Sequence, residues 1–265
     1  MSTSSTAAVL VERRNHIMVI TLNRPEARNA VNQEAARLIG DALEEADHDP
    51  DVRALVVTGA GDKAFCAGAD LKAVARGERL IPAGSEHWGF AGYVCHPISK
   101  PTIAAVNGFA LGGGTEIALA SDLVVAADTA QFGLPEVKRG IIAAAGGAFR
   151  LAAQLPPKIA MELLLTGDPL DATTAQLLGL INNVVPQEEV LDAALALAER
   201  ICANAPLAVQ ASKRIARGIQ DGRILSEEAA WQISNAEIGA LMASQEAKEG
   251  PRAFAEKRAP VWQAR

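Results

Sequence analysis

Short, wholly apolar runs recur along the chain and limit what it can fold into. Ala54–Thr58, Ile103–Val106 and Leu123–Ala127 carry no charge and are rich in Val, Ile and Ala. Each is too short for a helix and reads as a buried strand. Between such runs the spacing changes. From Gln33 to Ala46 the apolar positions Ala36, Ile39, Leu43 and Ala46 recur at helical intervals, with acids on the other face. Val9–Arg13 and Ile17–Leu22 are further strand candidates around a polar Asn15-His16 turn. Strands and helices alternate to about residue 200, and helices alone follow. The expectation is an α/β core over 1–200 and a helical C-terminal region over 201–265. In the second region Pro206 opens a helix, Ser226 reads as an N-cap before Glu227 and Glu228, and a last helix over 247–257 is expected to break at Gly250-Pro251.

Composition bears on partners. The 265 residues are 49% hydrophobic and 21% charged, enough apolar material for a sizeable core, but only 4% aromatic, so small aliphatics must fill it. A net charge of −6 argues against a general nucleic-acid or anionic-membrane binder. The charge is uneven: residues 206–265 sum to +2 and the remainder to −8, which puts any contact with a polyanion near the C-terminal region. Three cysteines, Cys66, Cys95 and Cys202, without regular spacing fit a reducing compartment. Met1–Thr6 lacks the basic-then-apolar pattern of a secretory signal, and no apolar run is long enough to span a bilayer. A cytoplasmic location is expected.

The most informative stretch is Ile103-Ala-Ala-Val-Asn-Gly-Phe-Ala-Leu-Gly-Gly-Gly-Thr-Glu116. Gly112–Gly114 carry a high entropic cost, which close approach of the backbone to another group would justify. At a helix start such backbone offers unpaired N–H groups and the positive end of the dipole. Glu116 adds a carboxylate one turn inside an apolar helix. Two more segments share this character. Lys63-Ala-Phe-Cys-Ala-Gly-Ala-Asp-Leu71 is a tight turn opening a helix, and Phe132-Gly-Leu-Pro-Glu136 sets a second glutamate after a proline. Packing glycines and a buried structural acid are the plainer alternatives. Other motifs fail. Ile117 stands where a dinucleotide fingerprint needs its third glycine, and neither a phosphate-binding loop nor a nucleophile elbow is present. His16, His48, His87 and His96 show no metal-ligand spacing and are expected at the surface or in loops.

These segments together resemble the crotonase (enoyl-CoA hydratase/isomerase) family. The similarity runs from Asn23-Arg-Pro-Glu-Ala-Arg-Asn29 to Lys248-Glu-Gly-Pro-Arg-Ala-Phe-Ala-Glu-Lys-Arg258. The resemblance implies a spiral of ββα units followed by helices that pack into a trimer or a dimer of trimers. It implies an oxyanion hole from the amides of Ala69 and Gly113, and catalysis by Glu116 and Glu136. Contacts to coenzyme A would come from Arg28, Lys63, Ala67, Asp70, Phe254 and Lys257. For Lys63 and Lys257 a solvated surface position is the alternative, and for Asp70 hydrogen bonding to a helix end. No metal and no separate cofactor are implied, because coenzyme A is part of the acyl thioester substrate.

The implied reaction is reversible addition of water across the 2,3 double bond of an enoyl-CoA, as in the β-oxidation of fatty acids. Glu116 would serve as base toward water and Glu136 as acid toward the α-carbon. A Δ3,Δ2-enoyl-CoA isomerase, which needs one carboxylate, is the alternative within the family, and a non-catalytic acyl-CoA-binding protein the alternative outside it. Two departures bear on the substrate. Ala143-Ala144-Ala145 replaces a usual Pro-Gly, and Leu134 stands where some hydratases carry Gln. Such features occur in branches acting on bulky or polar acyl groups, crotonobetainyl-CoA hydratases among them.

Overall fold

A computed structural model of the chain describes residues 7–81 and 83–263, without the side chains of 254 and 255. The first sheet holds β1 (Val9–Arg14), β2 (Ile17–Leu22), β3 (Ala54–Gly59), β5 (Thr102–Val106), β7 (Leu123–Ala127) and β10 (Asn183–Val185), in that order. β1 and β2 form an antiparallel hairpin whose turn uses Asn15 at φ 52, a left-handed conformation that Asn tolerates. Every other pairing in this sheet is parallel. Parallel strands need both faces covered, which explains why β3, β5 and β7 carry no charge and, apart from the buried Thr58 and Thr102, no polar side chain.

A second sheet orders β4 (Ala64–Cys66), β6 (Phe109–Leu111), β8 (Gln131–Gly133) and β9 (Leu170–Asp171). Each central strand of the first sheet is followed within a few residues by a strand of the second, and two of these pairs lead straight into helices. β3 and β4 lead to α2 (Leu71–Ala75), and β5 and β6 to α3 (Gly113–Ala120). β7 and β8 lead through a 3-10 turn, Pro135–Arg139, to α4 (Gly147–Gln154). This is the ββα repetition the resemblance implies. Its consequence is positional: the helix starts follow the ends of neighbouring parallel strands of one small sheet.

α1 (Gln33–His48) buries Ala36, Ile39, Leu43 and Ala46 as its spacing requires, and the Asn32 side chain caps it by accepting the Ala35 N–H at 2.9 Å. α5 (Pro157–Thr166) and α6 (Ala172–Leu177) flank β9. α7 (Val190–Cys202) packs against β3, β5 and β7, and its buried Ala194 and Ala198 let the helix lie close to the strands. α8 (Pro206–Arg217), a short antiparallel hairpin of β11 (Ile219–Gln220) and β12 (Arg223–Ile224), α9 (Glu228–Met242) and α10 (Glu246–Ala255) complete the described chain. α9 packs on α4, and α10 on the Pro135–Arg139 turn.

Three expectations are corrected. Ser226 is not an N-cap: Glu227 holds that position, and the Ser226 hydroxyl instead donates to the Arg217 carbonyl at 2.7 Å. α10 runs unbroken through Gly250-Pro251. Gly250 lets α10 lie directly on the Arg139 backbone, where a Cβ would overlap the carbonyl. The C-terminal region is not helical alone, because the β11–β12 hairpin separates α8 from α9. His96 lies in a loop, as expected, but is buried there, stacked on Trp88 and 3.2 Å from Glu44, and burial holds its imidazole toward the neutral form. Among the described residues no helix is long and apolar enough to cross a membrane.

Candidate active site

The glycine triplet opens α3 in a crowded place, and each glycine meets a different neighbour. Gly112 turns the chain at φ 55, and a Cβ there would press on Glu136 Oε1 at 2.9 Å. One on Gly113 would enter the Phe90 ring, and one on Gly114 would overlap the Cys66 carbonyl of β4. Close approach is therefore the reason for the triplet. The segment is tied to β8 by the Gly112 N–H, which donates to the Gly133 carbonyl at 2.8 Å. The Thr115 hydroxyl sits between the Ala110 and Gly133 carbonyls (2.6 and 2.9 Å) and accepts the Gly133 N–H at 2.9 Å. These bonds fix the end of β8 against the start of α3. Leu134-Pro135 then carries Glu136 over Gly112.

The turn after β4 reaches the same place. Val31 N–H donates to the Gly68 carbonyl at 2.8 Å, and Asp70 N–H to the Val31 carbonyl at 2.9 Å. In such a parallel bridge the intervening N–H, that of Ala69, points the other way. Gly68, at φ 88, lies against α3, and a Cβ on it would come 3.0 Å from the Gly113 nitrogen. Among the described residues neither the Ala69 nor the Gly113 N–H has a hydrogen-bond acceptor. Gly113 is the first residue of α3, where an N–H has no intrahelical partner.

Both glutamates are shifted, and they differ in their partners. Burial first, and then the charge of Glu136, push Glu116 up to about 8, while hydrogen bonds from the Gly147 and Ala145 backbone and the charge of Arg150 oppose the rise. Burial pushes Glu136 up to about 7. Glu116 Oε1 accepts the Gly147 N–H at 2.9 Å, whereas Glu136 Oε2 is buried with no partner. The proton of the pair is assigned to Glu136 from these hydrogen bonds, although the shift is larger at Glu116. An ionised carboxylate is favoured where N–H groups point at it, and a buried oxygen without a donor favours the neutral acid.

Arg28, Lys63 and Lys257 are exposed, and Ala67 is half-buried. Arg28 and Ala67 are adjacent, since the Ala67 N–H donates to the Arg28 carbonyl at 3.1 Å. Lys63 lies beside the same turn, its carbonyl accepting the Phe109 N–H at 3.2 Å. The Asp70 carboxylate is already engaged. It caps α2 by accepting the Lys72 and Ala73 N–H groups and pairs with Arg24 at 2.8 Å, and its acidity is strengthened accordingly. The Phe254 side chain lies outside the described residues. Among the described residues no cluster of His, Cys, Asp or Glu would hold a metal ion.

The sequence did not single out Arg150. Its guanidinium is 2% exposed, binds Glu227 through Nε (3.0 Å) and Nη2 (2.6 Å), and donates from Nη2 to the Val94 carbonyl at 2.6 Å. The available signal was a single cation interrupting the otherwise apolar run Ile141–Ala153.

Comparison with known proteins bears on the fold and the family. A family model described as enoyl-CoA hydratase/isomerase matches residues 12–265. A solved structure of a carnitinyl-CoA hydratase from Mycobacterium avium superposes with a TM-score of 0.97 at 62% identity, covering 98% of this chain and all of that one. An enoyl-CoA hydratase of Mycobacterium tuberculosis is 45% identical over 97% of this chain and 96% of its own. A carnitinyl-CoA dehydratase of Citrobacter koseri is 43% identical over 96% and 97%. Likeness of that extent, across the whole ββα spiral and the helices after it, makes the chain a member of the enoyl-CoA hydratase/isomerase family.

Proposed function

We propose that this chain is a hydro-lyase that reversibly adds water across the 2,3 double bond of an enoyl-CoA thioester. The observation that carries the reading is the unequal pair of buried glutamates beside two free amide N–H groups. Addition of water at the β-carbon moves negative charge onto the thioester oxygen. Amide donors held ready for that oxygen are typically worth roughly 10²–10³ in rate each. Ala69 and Gly113 are the proposed donors, and the dipole of α3 adds to the second. Glu116 accepts a proton from water as its oxygen bonds to the β-carbon, and Glu136 gives its proton to the α-carbon. Return of a proton from Glu116 to Glu136 resets the pair. The reverse sequence dehydrates a 3-hydroxyacyl-CoA. An isomerase moves one proton between carbons and would not require the second carboxyl.

The test is a panel of 2-enoyl-CoA thioesters with short, long, steroid-type and trimethylammonium-bearing acyl groups. Loss of the conjugated-thioester absorbance together with formation of 3-hydroxyacyl-CoA supports the reading. Isomerisation of 3-enoyl-CoA without hydration would replace it. A polar, crotonobetainyl-type acyl group is the second reading, favoured by the two relatives named for carnitinyl-CoA. The homotrimer, or dimer of trimers, is part of the proposal. It is supported by Leu207, Ile215 and Ile233, which are 78%, 84% and 67% exposed on α8 and α9 and lack cover in a single chain. The proposed contacts of Arg28, Lys63, Ala67, Asp70, Phe254 and Lys257 with coenzyme A belong to the same reading, as does a cytoplasmic location.

A further inference from the structure

The steps above leave Arg150 unused. It is the fourth residue of α4, and its side chain folds back over the start of its own helix. Its Nη1 lies 2.8 Å from where a Gly146 Cβ would stand. A cation at the positive end of a helix is unfavourably placed, so other contacts must hold it. Glu227 takes the guanidinium with two hydrogen bonds, the Val94 carbonyl takes another, and the rings of Phe149 and Trp231 each lie 5.5 Å away. Nη1 remains buried without a partner. The turn beneath it, Gly146–Gly147, is the one whose Gly147 N–H meets Glu116.

We propose that Arg150 is a positioning residue for Glu116. It clamps the Gly146–Gly147 turn so that the Gly147 N–H stays on Glu116 Oε1, and it sets a positive charge behind that carboxylate. This rests on the reading of Glu116 as the base. Glu116 is faced by Glu136 from the turn after β8 and by Arg150 from α4, while Cys95 and Cys66 lie in the segments packed on α3. Both thiols are pushed up by burial, to about 11 and about 12, and stay neutral through the working range. Glu227 stands behind Arg150, with Arg217 at 3.7 Å from it. The field at Glu116 is therefore the difference between the Arg150 cation and the Glu227 anion. Removing either partner moves Glu116 in opposite directions.

The experiment titrates Glu116 by NMR in protein carrying ¹³C-carboxyl glutamate, in a Glu136→Gln background, with Glu116→Gln identifying the signal. Arg150→Met is expected to raise the Glu116 midpoint by about one pH unit, and Glu227→Gln to lower it. Arg150→Lys, which keeps the charge, leaves it near the parent value. In the otherwise unaltered chain, Arg150→Met lowers kcat for hydration of a short 2-enoyl-CoA roughly tenfold to a hundredfold, with KM changed by less than about threefold. Midpoints that stay put, or that move the same way in both variants, overturn the proposal. Should Arg150→Met not fold, the Glu227→Gln midpoint decides alone. A wild-type chain that hydrates no enoyl-CoA would sink the proposed function, while the NMR titration would still decide the role of Arg150.

Discussion

At Glu136 the lone oxygen matters more than the burial. Burial raises both glutamates, but Glu116 accepts the Gly147 N–H from another segment whereas Glu136 meets only its own backbone and keeps Oε2 without a donor, so the two carboxyls are prepared for opposite tasks. Glu116→Gln and Glu136→Gln are each expected to lower hydration turnover by roughly 10²–10⁴ while leaving acyl-CoA binding largely intact. Near-normal turnover in either variant, measured beside a binding isotherm, would remove that residue from the mechanism. Gly112 offers a sharper test, because its neighbour is the reacting carboxyl. Gly112→Ala puts a methyl at 2.9 Å from Glu136 Oε1 on backbone at φ 55. A stability loss of about 1 kcal/mol is expected from the backbone alone. Turnover should fall by more than the lost folded fraction explains, which thermal unfolding and kcat measured together would separate.

Among the elements, what could be read from the chain depended on length and on what holds each piece. β3, β5 and β7 were legible because both faces are covered and nearly every side chain is apolar. Of the second sheet, Gln131–Gly133 was legible as a short strand running into the Pro135 turn, but β4 and β6 were not, because three residues carry no period, yet that sheet places the helix starts. The ends of α10 were readable, but its continuity through Pro251 was not, since the surface on which Gly250 packs belongs to a distant turn. At the site, a glycine triplet and a Pro-Glu pair flag Glu116 and Glu136 as positions of interest. Arg150 is marked only as a cation in an apolar run, because the partner that holds it, Glu227, lies 77 residues further along the chain. Gly250→Ala tests the docking of α10. A Cβ there overlaps the Arg139 carbonyl, so the helix should lift from the Pro135–Arg139 turn. A higher KM for acyl-CoA together with faster hydrogen exchange in 135–140 is expected, and unchanged exchange would count against that role.

For the whole molecule, two acids with raised folded-state pKa values make stability depend on pH. Burial and mutual repulsion lift the titration of the Glu116–Glu136 pair into the range of about 7 to about 8, with Glu136 holding the shared proton, whereas the unfolded chain releases both protons near 4.5. Between those limits the folded state binds more protons, so this contribution is fully present below the unfolded value and is lost as pH rises through 7 and 8. Glu136→Gln and Glu116→Gln are therefore expected to flatten the fall of Tm between mildly acidic and mildly alkaline pH. An equally steep fall in both variants would assign the dependence to other groups. The seat of α10 on the Glu136 turn has a consequence for synthesis. The turn closes over a helix made more than a hundred residues later. A nascent chain arrested in that interval exposes both sheets in sequence order but leaves the outer side of the turn bare, so the last step of maturation falls late in translation.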